Sequence, residues 1–332
     1  MEAFHRIQNR LIRRPGFLYR LSVRRMKSAE MLVIVGPTAS GKTARGVACA
    51  RAMSGEIISA DSRQVYRGMD IGTGKDIEEY GDVRVHLLDV VPAGYKYNLF
   101  EFLRDANRAV DEVEAAGRLP VVVGGTGMYA EALINGLRLP EVPENRPLRE
   151  ALKDLPLSEL TEILSRMKAL HNTTDVDTAK RAIRAIEIAE YYKAHPDAAL
   201  HAKPHPRAGV VVVGVSIPRE ERRARITERL HRRLAAGMVD EVRRLLDEGI
   251  DAEALIYYGL EYKYITEYVT GLTDYDTMVN RLEIAIHQFA KRQMTWFRGM
   301  ERRGHKIHWL PYDMEADRFV DAVKELMERA TE

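Results

Sequence analysis

The residues Gly36-Pro37-Thr38-Ala39-Ser40-Gly41-Lys42-Thr43 match the phosphate-loop pattern of glycine, four spacers, glycine, lysine and a hydroxyl residue. Such a loop aims consecutive backbone N–H groups and a helix N-terminus at phosphate oxygens. Lys42 adds a positive charge, and the Thr43 hydroxyl is placed to reach a Mg2+ ion. The loop follows the apolar run Met31-Leu32-Val33-Ile34-Val35, so strand, glycine turn and helix start stand in the required order. A ligand-free glycine turn would meet the pattern but not this context. The loop alone leaves open which phosphate compound it holds, and whether the phosphate is transferred, hydrolysed or expelled.

Asp61 opens Asp61-Ser62-Arg63-Gln64 directly after the apolar segment 56–60. A carboxylate at the carboxyl end of a strand is well placed to take a proton from a substrate, although an Asp-Ser pair serves more commonly as a turn or helix cap. Gly124-Gly125-Thr126-Gly127 follows the run 119–123 and reads either as a tight turn or as a substrate-facing loop.

Three basic stripes stand out. Arg222, Arg225, Arg229 and Arg233 share one side of a predicted helix opened by Pro218, with Ile226, Leu230 and Leu234 on another. They meet either phosphate or their neighbours Glu220, Glu221 and Glu228. Lys180, Arg181 and Arg184 lie off the apolar face made by Ala179, Ile183, Ile186 and Ala189. From Tyr275 a long helix is expected to turn Met278, Leu282, Ile286, Phe289 and Trp296 toward the core, with His287, Lys291, Thr295 and Arg298 on a different stripe.

Short apolar runs at 32–35, 56–60, 83–88, 119–123 and 210–217 alternate with helical stretches, the signature of an α/β parallel sheet with helices on both faces. Asn98 is a candidate N-cap for a helix that Gly117 closes. Residues 140–206 open with Pro140, Pro143 and Pro147, close with Pro204 and Pro206, and keep helical periodicity between, which reads as a small helical insertion. The chain therefore divides into a basic extension at 1–28, a first core part at 29–139, the insertion at 140–206 and a core completion at 207–332, ending in a short strand at 305–310 and an amphipathic helix.

With 332 residues, 45% hydrophobic and 30% charged, the composition is that of a globular protein, not a disordered one. The single Cys49 excludes an intrachain disulfide and suits a buried position in a reducing compartment, so a cytoplasmic location is expected. No apolar run approaches the roughly 18 residues that cross a bilayer. The net charge of +2 is unevenly placed: residues 1–30 hold eight Lys/Arg, which leaves 43 basic against 47 acidic residues beyond. Nucleic-acid binding must then come from local stripes. The extension reads as a flexible arm or as the result of an early start codon, with Met26 or Met31 as the working start; a transit peptide is the remaining option. No internal repeat, metal-ligand cluster or Ser-His-Asp arrangement is evident.

Taken together, GPTASGKT at 36–43, SADSRQVYRGMDIGTGK at 59–75, GGTGMY at 124–129 and AKRQMTWFR at 290–298 resemble the tRNA dimethylallyltransferase family, over about residues 31–311. The resemblance implies a P-loop NTPase-like sheet with a helical insertion. It also implies transfer of a dimethylallyl group from its diphosphate to N6 of an adenosine beside the tRNA anticodon, with Mg2+. It puts the diphosphate on residues 36–43, makes Asp61 the general base, places Thr126 on the base channel and makes Arg225 a phosphate-binding arginine. The segments 61–64 (Asp61, Ser62, Arg63, Gln64), 180–184 (with Lys180, Arg181 and Arg184) and 291–298 (with Lys291, Arg292, Gln293, Trp296 and Arg298) are implied to contact the anticodon stem-loop. A monomer is expected. The chain departs from the family at Tyr258-Gly259-Leu260-Glu261-Tyr262-Lys263, where a Gly-Tyr-basic-Glu element is common, and at His287, where arginine is common.

Elementary chemistry agrees. The delocalised lone pair of adenine N6 makes a poor nucleophile, which gains from a carboxylate that takes its proton as the C–N bond forms. Charge then builds on the departing diphosphate, where loop N–H groups, Lys42, Arg225 and Mg2+ stabilise it. The alternatives are a prenyltransferase acting on free AMP or ATP, a nucleotide kinase, and a switch-type NTPase whose Mg2+-binding carboxylate would be Asp89.

Overall fold

The computed structural model describes residues 30–169, 174–201 and 204–330; the expected basic extension lies outside them. The strands are β1 (Met31–Val35), β2 (Gly55–Ser59), β3 (Tyr66–Arg67), β4 (Val85–His86), β5 (Val91–Pro92), β6 (Leu119–Gly124), β7 (Val210–Ser216) and β8 (Ile307–Pro311). Six of them form one parallel sheet in the order β4-β2-β6-β1-β7-β8, and β3 pairs with β5 apart from it. Register is tight at the centre, where Ile34 stands opposite Val123 on one side and Val213 on the other.

The strands β6, β1 and β7 are almost wholly apolar because both faces are covered. Alternate residues feed two cores. Met31, Val33, Val35, Val122 and Val212 pack on one side, with Phe102, Tyr129, Leu230, Met278 and Phe297 among their partners. Leu32, Ile34, Val121, Val123 and Val213 pack on the other, with Val47, Ala50, Phe319 and Val323.

The first helices in the chain are α1 (Lys42–Ala52), α2 (Leu99–Ala115) and α3 (Gly127–Ile134). Asn98 caps α2 in a reciprocal capping box: its side chain accepts from Glu101 N, and Glu101 accepts from Asn98 N. Gly117, at φ 70°, follows the end of that helix as expected. Next come α4 (Arg146–Leu152), α5 (Leu157–Met167), α6 (Ala179–Ala194) and α7 (Pro196–His201), of which α4, α5 and α6 build a small core of their own around Leu152, Leu160, Leu164, Ala182 and Ile186. The chain then runs through α8 (Arg219–Ala235), α9 (Met238–Asp247), α10 (Ala252–Tyr258), α11 (Leu260–Val269), α12 (Tyr275–Arg302) and α13 (Ala316–Arg329).

Two expectations need correction. The run 83–88 yields the short strand Val85–His86, because Leu87 and Asp89 take left-handed backbone angles, φ 66° and 54°, which no strand continues through. Trp296 does not turn toward the core: it is 40% exposed. The inward series on α12 runs through Met278, Leu282, Ile286, Ala290, Gln293, Phe297 and Met300. A polar residue occupies one core position, so a purely apolar reading of the helix steps to the wrong face.

Candidate active site

The strand order explains why distant motifs meet. β2, β6 and β1 are neighbours and parallel, so the segments leaving their carboxyl ends emerge at one edge of the sheet. Those segments are Asp61-Ser62-Arg63-Gln64, Gly125-Thr126 and the loop 36–43. Gly124 permits the close approach, since a Cβ there would sit 2.1 Å from the Ala60 carbonyl oxygen. Gly41, just before α1, takes φ 79°, a left-handed angle that glycine adopts without strain.

Between the segments lies a cleft of about 540 Å³, lined by Thr38, Lys42, Thr43, Asp61, Ser62, Arg63, Gln64, Thr126, Arg292 and Gln293. The hydrogen bonds lock this edge. Asp61 Oδ1 accepts from Arg63 N at 2.9 Å, a local turn that leaves Oδ2 without a hydrogen bond among the described residues. Thr126 Oγ1 accepts from Ser62 N at 3.1 Å, tying the β6 loop to the Asp61 turn. Gln64 donates to Gly74 O at 2.9 Å and accepts from Ser59 Oγ at 3.0 Å, so its amide is engaged within the fold. Gln293 bridges two loops: its Oε1 accepts from Thr38 N at 2.8 Å, and its Nε2 donates to Gly125 O at 2.9 Å.

The wall opposite comes from residues 258–264, where Gly259 and Leu260 both have positive φ, 74° and 43°. This is the segment that departs from the family pattern. The loop 69–75 is fixed from behind: the buried Glu241 carboxylate accepts from Asp70 N, Ile71 N and Gly72 N at 2.7–3.0 Å and from the Tyr262 hydroxyl at 2.7 Å. Those glycine-rich amides are thus filled by the protein's own carboxylate.

Positive charge gathers at the phosphate loop. Burial pushes the Lys42 amine down to about 8; Asp61 opposes this, while Arg229 and Arg233 add to it. Burial, with Arg233 beside it, lowers Arg229 to about 10. Burial raises the Glu261 carboxyl. Cations pressed this closely together favour a multiply charged anion. Ser40 in the same loop is 1% exposed, and its Oγ has no hydrogen-bond partner among the described residues.

The expected site residues do not all converge. Arg225 stands off the cleft, with its guanidinium 5.0 Å from the Tyr312 ring centre, 3.6 Å from Glu221 and Nη1 3.4 Å from the Ala39 carbonyl. One turn later Arg229 lines the cleft. Lys180 and Arg181 are exposed on α6, and Arg181 pairs with Asp177 at 2.5 Å. Arg184 is half-buried beside the small helical core: it pairs with the buried Glu187 and donates to Val142 O at 2.8 Å. Lys291, Arg298 and Trp296 are exposed on α12, and Trp296 Nε1 donates to Glu131 at 2.9 Å.

Sequence reading names Arg229 only as one of four stripe arginines, and gives neither the loop bridge to Gln293 nor the cleft wall to residues 258–264. The arginine spacing contained Arg229 but not which member faces inward. Asp89, the candidate carboxylate of an NTPase, pairs with the buried Lys75, which also donates to Asp70 at 2.6 Å and Tyr66 O at 2.6 Å. Asp89 does not line the cleft. Among the described residues no group of three or more His, Cys, Asp or Glu is arranged to hold a metal ion.

Comparison with known proteins gives the same direction. A family model described as IPP transferase matches residues 64–300, and one described as isopentenyl transferase matches residues 29–89. The tRNA dimethylallyltransferase 2 of Phocaeicola vulgatus is 57% identical over 289 residues, covering 86% of this chain and 93% of that relative. The protein of the same description from Bacteroides fragilis is 54% identical over 304 residues, covering 90% and 98%. The solved full-length tRNA isopentenylpyrophosphate transferase of Bacillus halodurans shares 29% identity and a TM-score of 0.67, over 91% of this chain and 97% of that one. The chain belongs to the IPP transferase family, that of the tRNA dimethylallyltransferases.

Proposed function

We propose that the protein transfers a dimethylallyl group from dimethylallyl diphosphate to N6 of the adenosine 3′-adjacent to the anticodon in tRNA, releasing diphosphate. The observation that carries the reading is the meeting of Asp61, Lys42, Thr43 and Thr126 in one cleft at the carboxyl edge of the sheet. Asp61 takes the N6 proton through Oδ2 as the new C–N bond forms, while Oδ1 keeps the turn to Arg63. The C–O bond to the diphosphate breaks in the same step, and the electrons leave with the diphosphate. Lys42, Arg229 and the loop N–H groups stabilise the growing negative charge. Arg225 braces the loop from behind through Ala39. No step consumes ATP.

Mg2+ fits as an ion carried with the diphosphate. The described residues offer no carboxylate cage, and Thr43 supplies a single oxygen at the cleft. When bound, it adds positive charge at the diphosphate oxygens. A stacked adenine cannot reach Asp61, so the base is extruded into the cleft, at a cost of a few kcal/mol. Phosphate contacts from the exposed cations of α12 and α6 offset that cost. The reaction is placed in the cytoplasm, in keeping with the buried, unpaired Cys49; among the described residues no helix is long and apolar enough to cross a membrane.

The test is incubation with tRNA, Mg2+ and labelled dimethylallyl diphosphate, with AMP and ATP as competing acceptors. Label is expected in tRNA alone. Label in free nucleotide would shift the reading to a nucleotide prenyltransferase, and phosphate release from ATP to an NTPase.

A further inference from the structure

α12 has a second basic wall that the cleft does not use. Arg219, Arg222 and Arg223 at the start of α8 and His287, Lys291 and Arg298 on α12 line a groove of about 510 Å³. Gln288 borders both this groove and the cleft, so the two are contiguous. Arg298 lies ten residues beyond Gln288 on the same helix, about 15 Å along its axis, so the groove leads away from the cleft mouth.

No Asp or Glu lines the groove. Arg222, Arg223, Lys291 and Arg298 form no ion pair among the described residues, whereas most arginines of the insertion and of α9 do. Arg223 and Arg298 have Glu220 and Glu301 three positions away, but Glu220 pairs with Arg219 and Glu301 accepts from Trp309 Nε1; for Arg222 and Lys291 helix spacing gives the reason. Three and four positions from Arg222 stand Pro218, Arg219, Arg225 and Ile226; around Lys291 stand His287, Gln288, Met294 and Thr295. Neither has an acid within reach on its own helix.

The three arginines also sit at the positive end of the α8 dipole, where cations weaken a helix and add to its field. Helix stability therefore does not account for them. Burial and the nearby Arg219 and Arg298 lower the Arg222 pKa, which is consistent with crowded like charges. A surface built this way suits a chain of regularly spaced anions.

We propose that this groove is a second anchor for RNA phosphates, holding the tRNA backbone beside the extruded adenosine, with Arg222 and Arg223 as its contacts from α8. The proposal rests on the tRNA reading above. It adds residues outside the segments that the family resemblance assigns to RNA.

The test is the pair Arg222→Ala, Arg223→Ala, with tRNA affinity measured across a salt series. Affinity is expected to fall several-fold, and the slope of log K against log salt to flatten by about 0.7 per lost contact. Affinity for dimethylallyl diphosphate and the melting temperature are expected to stay as in the parent protein. A folded variant with unchanged tRNA affinity and salt slope overturns the groove. Should the alanine pair disturb folding, Arg222→Gln, Arg223→Gln keeps length and polarity and is judged by the same slope. Failure of the parent protein to prenylate tRNA would instead count against the functional reading, so the two outcomes are distinct.

Discussion

Gln293 Oε1 accepts a hydrogen bond from the Thr38 backbone N–H at 2.8 Å, across 255 residues of sequence, and so fastens the α12 core series to the phosphate loop. The other end of the same amide holds Gly125 O at 2.9 Å. One buried side chain therefore sets the spacing between the loop that takes the diphosphate and the loop that carries Thr126. Gln293→Ala leaves Thr38 N and Gly125 O without that partner, a cost of about 1–3 kcal/mol. If half to all of that appears in the transition state, kcat/KM falls by about 2- to 150-fold. Steady-state kinetics with both substrates checks this, and unchanged kinetics in a folded variant would remove Gln293 from the site.

Asp61→Asn is expected to lower turnover by roughly 100-fold or more while preserving binding of both substrates. The amide oxygen still accepts from Arg63 N, so the turn survives and only basicity is lost. Near-normal single-turnover rates would reduce Asp61 to a turn-forming residue.

Lys42 makes diphosphate binding depend on pH. Burial holds its amine at about 8 in the free protein, and a bound anion raises it. Above pH 8 the free protein carries neutral Lys42, which must take up a proton to bind. Affinity for dimethylallyl diphosphate is therefore expected to be level from pH 7 to 8 and to fall above it, by at most tenfold per unit. Titration calorimetry in buffers of different ionisation heat should show proton uptake near pH 8.5. Proton release there would contradict the assignment.

Glu187 anchors the helical insertion. Its burial alone would raise the carboxyl, but Arg149, Arg184 and Asn145 N outweigh that and hold it at about 2. A carboxyl lowered on folding contributes stability that is fully present above its unfolded value, near 4.5, and lost as pH falls toward 2. The small core around Leu160 and Leu164 is expected to melt in that window. Arg149→Ala should move the transition upward in pH, followed by circular dichroism. Lys180→Ala, Arg181→Ala should leave the transition unmoved, because both residues are exposed and off that network.

The phosphate loop, the parallel sheet and the positions of most helices were determined by the sequence, because each depends on local chemistry. An apolar run ends in a glycine turn; Asn98 and Glu101 cap each other three residues apart; prolines bracket the insertion. The meeting of Asp61, Thr126 and Lys42 was implied by motif resemblance, but its cause is the order β2-β6-β1, a fact about which strands pair. Tertiary structure alone decided the rest. Four arginines spaced along α8 look equivalent, yet packing against Tyr312 draws Arg225 to the loop's outer side and leaves Arg229 in the cleft. Arg184 resembles Lys180 and Arg181 in sequence, but its pairing with the buried Glu187 holds it against the small core. Motif resemblance assigns Gln293 to RNA contact. It is buried because two backbone groups, hundreds of residues away in the chain, satisfy both ends of its amide.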